Sequence, residues 1–139
     1  MTRRSLLLAA LVPLARADSA DEVWDVVAAL ASALSEANAA EFLHPFDPSM
    51  PAYQKLRDVL AADVRDFEIS ATVDLVSNDG NDRERTLVAS WELEFAPRAA
   101  AASVIRRETQ ITLKLRKDGR RWRIFSLDPP TAFDPPAVR

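Results

Sequence analysis

The chain has 139 residues, of which 48% are hydrophobic and 28% charged, and its formal net charge at pH 7 is −3. This balance fits one globular domain with its own core, rather than a disordered or membrane-spanning chain. The sequence contains no cysteine, one histidine and two glycines, which excludes disulfides, thiolate metal sites, a thiol nucleophile and a glycine-rich phosphate loop. We therefore predict neither a metal nor a cofactor.

The first residues show the three parts of a cleavable export signal. Arg3 and Arg4 precede an apolar run, Leu6 to Leu14, and the sequence Ala15-Arg16-Ala17 follows it. The run is shorter than the roughly 20 residues that span a bilayer. The pattern therefore predicts removal of residues 1–17 and a periplasmic or extracellular protein. The paired arginines fit either a twin-arginine export motif or an ordinary basic leader.

Removal of the signal changes the charge of the chain. It takes away three arginines and no acid, so 15 Lys and Arg remain against 21 Asp and Glu, a net charge of −6. Phosphate backbones bind surfaces of the opposite sign, so we expect no nucleic-acid partner. Nor do we expect membrane binding once the signal is gone. Residues 18–128 are predicted to form one domain, with a proline-rich tail over residues 129–139.

The first half of this domain is helical by pattern. Ser19 and Glu22 form a capping-box signature, and a helix is predicted from about Ala20 to Ala37. Asn38 is predicted to cap a short second helix that stops before Pro45, and a third helix is predicted to begin at Pro51. The inward positions of the first and third helices follow a spacing of three and four residues: Val23, Val27, Leu30 and Leu34, then Tyr53, Leu56 and Leu60.

From Asp66 onward the hydrophobic period changes to two, which predicts four antiparallel strands. The two glycines mark the predicted hairpin turns, Asp79-Gly80 and Asp118-Gly119. At the first turn, a loop with an odd number of residues, three or five, is predicted. It pairs Val73 with Leu87 and Ile69 with Trp91. A two-residue second turn pairs Leu115 with Trp122, Leu113 with Ile124, and Thr109 with Asp128. Helices followed by an antiparallel meander predict an α+β fold with the helices on one face of the sheet.

In layout the chain resembles the nuclear transport factor 2-like superfamily, which includes ketosteroid isomerase and polyketide-cyclase-like proteins. The resemblance rests on the long first helix, Glu41-Phe42-Leu43, the Tyr53–Leu60 helix and the closing RRWRIFSLDP, and it covers most of the chain without a specific motif. It implies a cone, in which helices close a curved four-stranded sheet. Enzymes of the family place polar side chains inside the cone. Here the inner positions of the first two strands are all apolar, and we assign no catalytic residue.

By alternation, Arg107 and Asp128 are predicted to lie on the inner face of the last two strands, close to Trp91. Such a group would hold a small apolar or anionic ligand, with Tyr53 also facing inward. The alternative is that Arg107 and Asp128 lie at the end of the sheet, either exposed or paired with each other. The predicted cavity is narrow, because the apolar sets of helices and sheet match in size. The proline-rich tail is predicted to lie over the domain through Phe133.

His44 and Asp47 flank the proline-rich connection and are a candidate general-base pair, but a histidine that caps the short helix is the simpler interpretation. Phe125, Leu127 and Val88 are apolar residues on the otherwise polar outer face, which predicts a homodimer surface.

The sequence favours a non-catalytic module that binds a ligand or a protein. The first alternative is an isomerase or cyclase that uses Arg107, Asp128, Tyr53 and His44. The second is a structural homodimerisation module.

Overall fold

The computed structural model of the protein describes residues 3–99 and 103–137, and the side chains of its first helix from Ser19 onward. Within these residues, three helices precede four antiparallel strands, which lie in chain order in one open sheet. This arrangement confirms the predicted α+β, cone-like class. The elements are α1 (Arg3–Ser35), α2 (Ala39–Leu43), α3 (Tyr53–Asp66), β1 (Phe67–Gly80), β2 (Glu84–Pro97), β3 (Ile105–Asp118) and β4 (Arg121–Asp128).

The predicted start of the first helix is wrong. Helix α1 is continuous from Arg3, so the N–H groups after Ser19 have carbonyl partners in the preceding turn and the capping box does not form. Ser19 Oγ instead donates to Asp82 Oδ1 at 2.6 Å. Glu22 Oε1 accepts a hydrogen bond from Trp122 Nε1 at 2.8 Å. Both side chains therefore tie α1 to the ends of the sheet.

Helix α1 ends in a Schellman motif with an alanine in the left-handed position. The Asn38 N–H donates to the Ala33 carbonyl at 2.8 Å, and the Ala37 N–H donates to the Leu34 carbonyl at 3.1 Å. Ala37 has φ = 58°, which is the position that glycine usually fills because a Cβ is strained there.

We therefore expect Ala37→Gly to raise the free energy of unfolding by about 0.5–1 kcal/mol, as relief of this strain exceeds the entropy that glycine adds to the unfolded chain. Urea unfolding measures the change. Ala28→Gly, at an exposed position inside α1, is the matched control and should destabilise by about 1 kcal/mol. A loss of stability at both positions would mean that the left-handed turn does not form in solution.

The next two helices begin close to their predicted positions. Asn38 Oδ1 accepts from the Glu41 N–H at 3.1 Å, which confirms the predicted cap of α2. His44 is the C-cap of this helix, as the simpler interpretation proposed. Helix α3 begins at Tyr53 rather than at Pro51. Pro51 lies instead in the turn before the helix, which is closed by a hydrogen bond from the Tyr53 N–H to the Met50 carbonyl.

The β1–β2 register differs from the prediction by four residues along the strand. Val73 lies opposite Trp91, not Leu87, since the strands continue past the predicted turn and the loop follows Gly80. Gly80 has φ = 141°, and a Cβ at this position would collide with the Glu84 carbonyl oxygen. A bulge between Leu75 and Ser77 accommodates the shifted loop.

The β3–β4 hairpin also differs from the predicted register. Asp118 pairs with Arg121, so Gly119-Arg120 forms the turn in place of Asp118-Gly119. As a result Leu115, and not Leu113, lies opposite Ile124.

A bulge at Phe125 then reverses the faces of the residues that follow. Leu127 faces the core and is 7% exposed, so its predicted place on the outer face is wrong. Asp128 lies opposite Thr112 rather than Thr109 and is exposed.

The core lies between the concave face of the sheet and the three helices. Most of the apolar residues predicted to face inward are buried, but Tyr53, Ala71 and Val73 are half-buried, and Leu75, which the alternation also placed inward, is 49% exposed. Phe46 adds a single parallel bridge to Ile124 at the edge of the sheet. The tail covers one end of the cone with Phe133, 2% exposed, as predicted. Among the described residues, none of the helices combines the length and apolarity needed to cross a bilayer.

Candidate functional site

A buried carboxyl group lies at the end of helix α3. Asp63 follows Leu56 and Leu60 on the same apolar stripe, at helical spacing, and its side chain is therefore carried into the core. It is 1% exposed, and its Oδ1 atom has no hydrogen-bond partner among the described residues. A buried polar atom without a partner costs free energy, so this position calls for an explanation beyond packing.

Two residues of the sheet face the same end of the cone. Trp91 on β2 is 1% exposed, and its Nε1 donor is also without a partner. Arg107 on β3 pairs with the buried Leu93, and its guanidinium carbon lies 5.0 Å from the centroid of the Phe95 ring. Trp91 and Arg107 both lie on the concave face, and they bring polar groups to a face that is otherwise mostly apolar.

The C-terminal tail covers these groups. Arg107 Nη1 donates to the Ala132 carbonyl at 3.0 Å. The Phe133 ring meets Trp91 edge to face, with centroids 5.3 Å apart, and meets Phe42 in the same way at 5.1 Å. The next residue, Asp134, has a buried Oδ1 atom that also lacks a partner. In the part of the chain that the structure describes, the three buried polar atoms without partners thus belong to α3, to β2 and to the tail that packs on Trp91 and Arg107.

Burial, together with the neighbouring charges, sets the pKa of Asp63. Burial is the main cause and raises the pKa of this carboxyl group to about 7, although the Arg107 guanidinium opposes the change. The carboxylates of Asp134 and Asp66 contribute smaller parts of this same rise. At neutral pH Asp63 therefore exists in comparable protonated and ionised populations, so it can donate or accept a hydrogen bond or a proton.

The structure brings together only part of the predicted ligand site. Arg107 and Trp91 lie at the polar end of the cone, as the sequence predicted. Asp128 does not join them, because the bulge in β4 leaves it exposed. Tyr53 begins α3 at the opposite end from Asp63, about 15 Å away along the helix axis. Asp63 and Asp134 are the acidic groups that sequence reasoning missed.

His44 and Asp47 do not form a pair. Asp47 Oδ1 accepts from the Ser49 N–H at 2.9 Å and from Ser49 Oγ at 2.8 Å. These bonds lower the pKa of Asp47. His44 Nε2 lies 3.3 Å from Arg121 Nη1, which is a donor only, so the imidazole accepts the bond. No general base results from this arrangement.

A surface groove of about 380 Å³ lies beside His44, between α1, α2 and β4. Its main acid, Glu22, accepts from Trp122 Nε1 and from Lys117 Nζ at 2.9 Å. The Lys117 bond, followed by the Trp122 bond, lowers the pKa of Glu22. Glu22 and His44 in the groove thus already have polar partners, in contrast to the buried Asp63 Oδ1 atom. Among the described residues, no three His, Asp or Glu side chains are grouped as a metal site.

No protein-family profile matches this chain, and no curated protein matches it.

Comparisons of structure do find similar proteins. A conserved protein from Planctomyces limnophilus superposes with a TM-score of 0.70 at 9% identity, over 76% of this chain and 90% of that one. A ketosteroid isomerase-like protein from Erwinia carotovora gives 0.66 at 13% identity, over 79% and 93%. A nuclear transport factor 2-like superfamily protein from Salmonella enterica gives 0.65 at 11% identity, over 80% and 89%.

At these identities the likeness concerns the fold, which agrees with the layout that the sequence indicated. The helical layer, the curved open sheet and the polar end of its concave face are arranged as a cone. The chain adopts the nuclear transport factor 2-like fold.

Proposed function

We propose that the protein is a small-molecule binding domain whose site is the polar end of the cone, formed by Asp63, Trp91 and Arg107. The observation that supports this most strongly is that Asp63 Oδ1 and Trp91 Nε1 are buried and have no partner within residues 3–99 and 103–137. A ligand with one or two polar atoms would satisfy them, and the surrounding aromatic rings would bury its apolar part.

The donors at this site favour an oxygen-bearing, anionic or neutral ligand. Arg107 has guanidinium N–H groups beyond the one bound to the Ala132 carbonyl. The Trp91 indole N–H is a second donor, and protonated Asp63 is a third. A carboxylate or carbonyl oxygen accepts from all three, and a charged acceptor on arginine forms the stronger bond.

A thermal-shift experiment tests this proposal. We expect at least one member of a panel of small hydrophobic acids and ketones to raise the Tm of the full-length protein, since a ligand that binds the folded state stabilises it. The same compound should not stabilise Arg107→Gln. The matched control is Arg106→Gln, because exposed Arg106 pairs with Glu94 on the outer face. Equal stabilisation of Arg107→Gln and the wild type would contradict the proposal.

Acid–base catalysis is the second candidate function, and the pKa of about 7 at Asp63 favours it. A buried carboxyl group with a pKa near the working pH can both take and return a proton. Neighbours of similar fold include a putative scytalone dehydratase from Novosphingobium aromaticivorans. If a compound of the panel is converted, Asp63→Asn should lower kcat by about 10²-fold or more.

Export is the second part of our proposal, and it rests on the basic, apolar and Ala-x-Ala parts of the leader. We expect residues 1–20 fused to a reporter to direct it across the inner membrane, with cleavage after Ala17. N-terminal sequencing checks the site, and a mature protein that still begins at Met1 would contradict it. Lysine at both Arg3 and Arg4 should block export only if the twin-arginine route is used.

Self-association is the third part of our proposal, through a surface that no longer includes the buried Leu127. Phe125 and Val88 are half-buried on the outer face, and the Arg116 guanidinium lies 4.2 Å from the centroid of the Phe125 ring. We expect Phe125→Glu to convert a two-fold dimer into a monomer, as measured by sedimentation, with an unchanged far-UV spectrum. A wild-type protein that is monomeric at high concentration would rule out the dimer.

A further inference from the structure

The segment Pro129–Asp134, which we call the C-terminal plug, already fills the proposed site. It presents two groups to the cone: the Ala132 carbonyl oxygen, bound to Arg107 Nη1 at 3.0 Å, and the Phe133 ring, set edge to face against Trp91 and Phe42. These are the contacts that a bound ligand with an acceptor oxygen and an aromatic ring would make.

We infer that the C-terminal plug is a displaceable internal occupant of the site, and that the ligand which replaces it is an aryl-substituted carboxylic acid. This inference rests on the proposed function and specifies its ligand. The acid group takes the place of the Ala132 carbonyl on Arg107, and the aryl group takes the place of the Phe133 ring.

The plug is attached in a way that permits displacement. Its other backbone hydrogen bonds are internal, from the Ala132 N–H to Pro129 and from the Asp134 N–H to Thr131. Prolines at positions 129, 130, 135 and 136 remove donors that a sheet partner would need. The main anchors of the plug are thus one hydrogen bond and one inserted ring.

The acidic groups favour exchange of the plug for a ligand. Asp134 is half-buried with its Oδ1 atom enclosed, and its charge opposes ionisation of Asp63. Arg107 on β3 and Asp66 on α3 are the other charged groups that act on Asp63. Departure of the plug removes the carboxylate of Asp134 from this place, while an incoming carboxylate forms an ion pair with Arg107 in exchange for a hydrogen bond to a neutral carbonyl.

The covalent structure of the plug sets the spacing within the ligand. The Phe133 amide nitrogen, Cα and Cβ lie between the Ala132 carbonyl carbon and the Phe133 ring. In 4-phenylbutyrate, methylene groups replace these atoms and link a carboxylate to a phenyl ring. This compound is therefore the probe, and butyrate, which has no ring, and 4-phenyl-1-butanol, which has no acid, are its matched controls.

Isothermal titration of the full-length protein tests the inference. We expect 4-phenylbutyrate to bind Phe133→Ala about 10-fold or more tightly than the wild type, because no ring has to be displaced first. Arg107→Gln added to Phe133→Ala should lose most of this affinity, and neither control compound should bind comparably. Phe133→Leu replaces Phe133→Ala if the latter does not fold.

Amide NMR signals of Ala132 and Phe133 in the wild type provide the second readout. Saturating 4-phenylbutyrate should move them to the positions of an unstructured chain. Binding of a thermal-shift hit to the cone with these signals unmoved would overturn the inference and leave the proposed function intact. If neither wild type nor Phe133→Ala binds 4-phenylbutyrate and no compound of the panel binds, both are overturned.

Discussion

Leu113→Ala and Ile124→Ala are each expected to lower the free energy of unfolding by about 2–5 kcal/mol. Leu113 is 1% exposed and Ile124 is 0% exposed, and both lie on the concave face of the sheet against the helices. Truncation of a side chain in filled packing loses its transfer free energy and leaves a cavity, and the two costs add. Denaturant unfolding with an unchanged slope measures the loss.

Leu75→Ala is the matched control, since Leu75 is 49% exposed and should change stability by less than about 0.5 kcal/mol. Near-neutral results at both Leu113 and Ile124 would mean that the apolar face borders open space. The pocket would then extend along the whole concave face, and the enzyme hypothesis would gain over the binding module.

Asp63→Asn is expected to remove a pH dependence of stability. The pKa of Asp63 is about 7 in the folded protein and about 3.9 in an unfolded chain. Between these values the folded state holds a proton that the unfolded state releases, so stability falls as the pH rises through this window. The loss reaches up to about 4 kcal/mol above pH 7. Asparagine cannot ionise, so the variant should be more stable than the wild type at pH 8.

Asp66→Asn provides the control for this experiment. Asp66 is exposed on the last turn of α3, and the Arg65 hydrogen bond lowers its pKa, so its contribution has the opposite sign. The decline between pH 4 and 7 should therefore persist in Asp66→Asn. A wild-type stability that rises over the same interval would show that Asp63 is ionised and solvated in the folded protein.

Element type and the composition of the core follow from local periodicity. The three- and four-residue spacing through Val23, Val27 and Leu30 and the alternation in the strands are properties of short windows, and burial of these residues confirms both. Helix caps such as Asn38 are equally local, since they depend on a side chain and a nearby N–H.

The register of the sheet could not be predicted in the same way. The bulges after Leu75 and at Phe125 each insert one residue, and nothing in the neighbouring sequence marks them. A one-residue shift exchanges the two faces of a strand. This exchange carried Leu127 into the core and Asp128 to the surface.

Half of the candidate site was accessible from sequence. Alternation placed Arg107 and Trp91 on the inner face of the sheet, and the predicted pairing of their strands placed them near each other. Asp63 also carried a signal, because it continues the stripe of Leu56 and Leu60 at the next helical position. A carboxylate on an apolar stripe is itself informative. Asp134 gave no signal, since tertiary packing alone determines where a proline-rich tail lies.

The central claim is that the cone holds a buried, proton-exchanging carboxyl group at its polar end, and a carbon-13 NMR titration of the Asp63 side-chain carboxyl group tests it most directly. The account predicts a titration midpoint near pH 7, as burial raises the pKa to about that value. It also predicts that the midpoint changes when 4-phenylbutyrate binds, because the ligand brings a charge next to Asp63. A midpoint near pH 4, unaffected by the ligand, would contradict the claim.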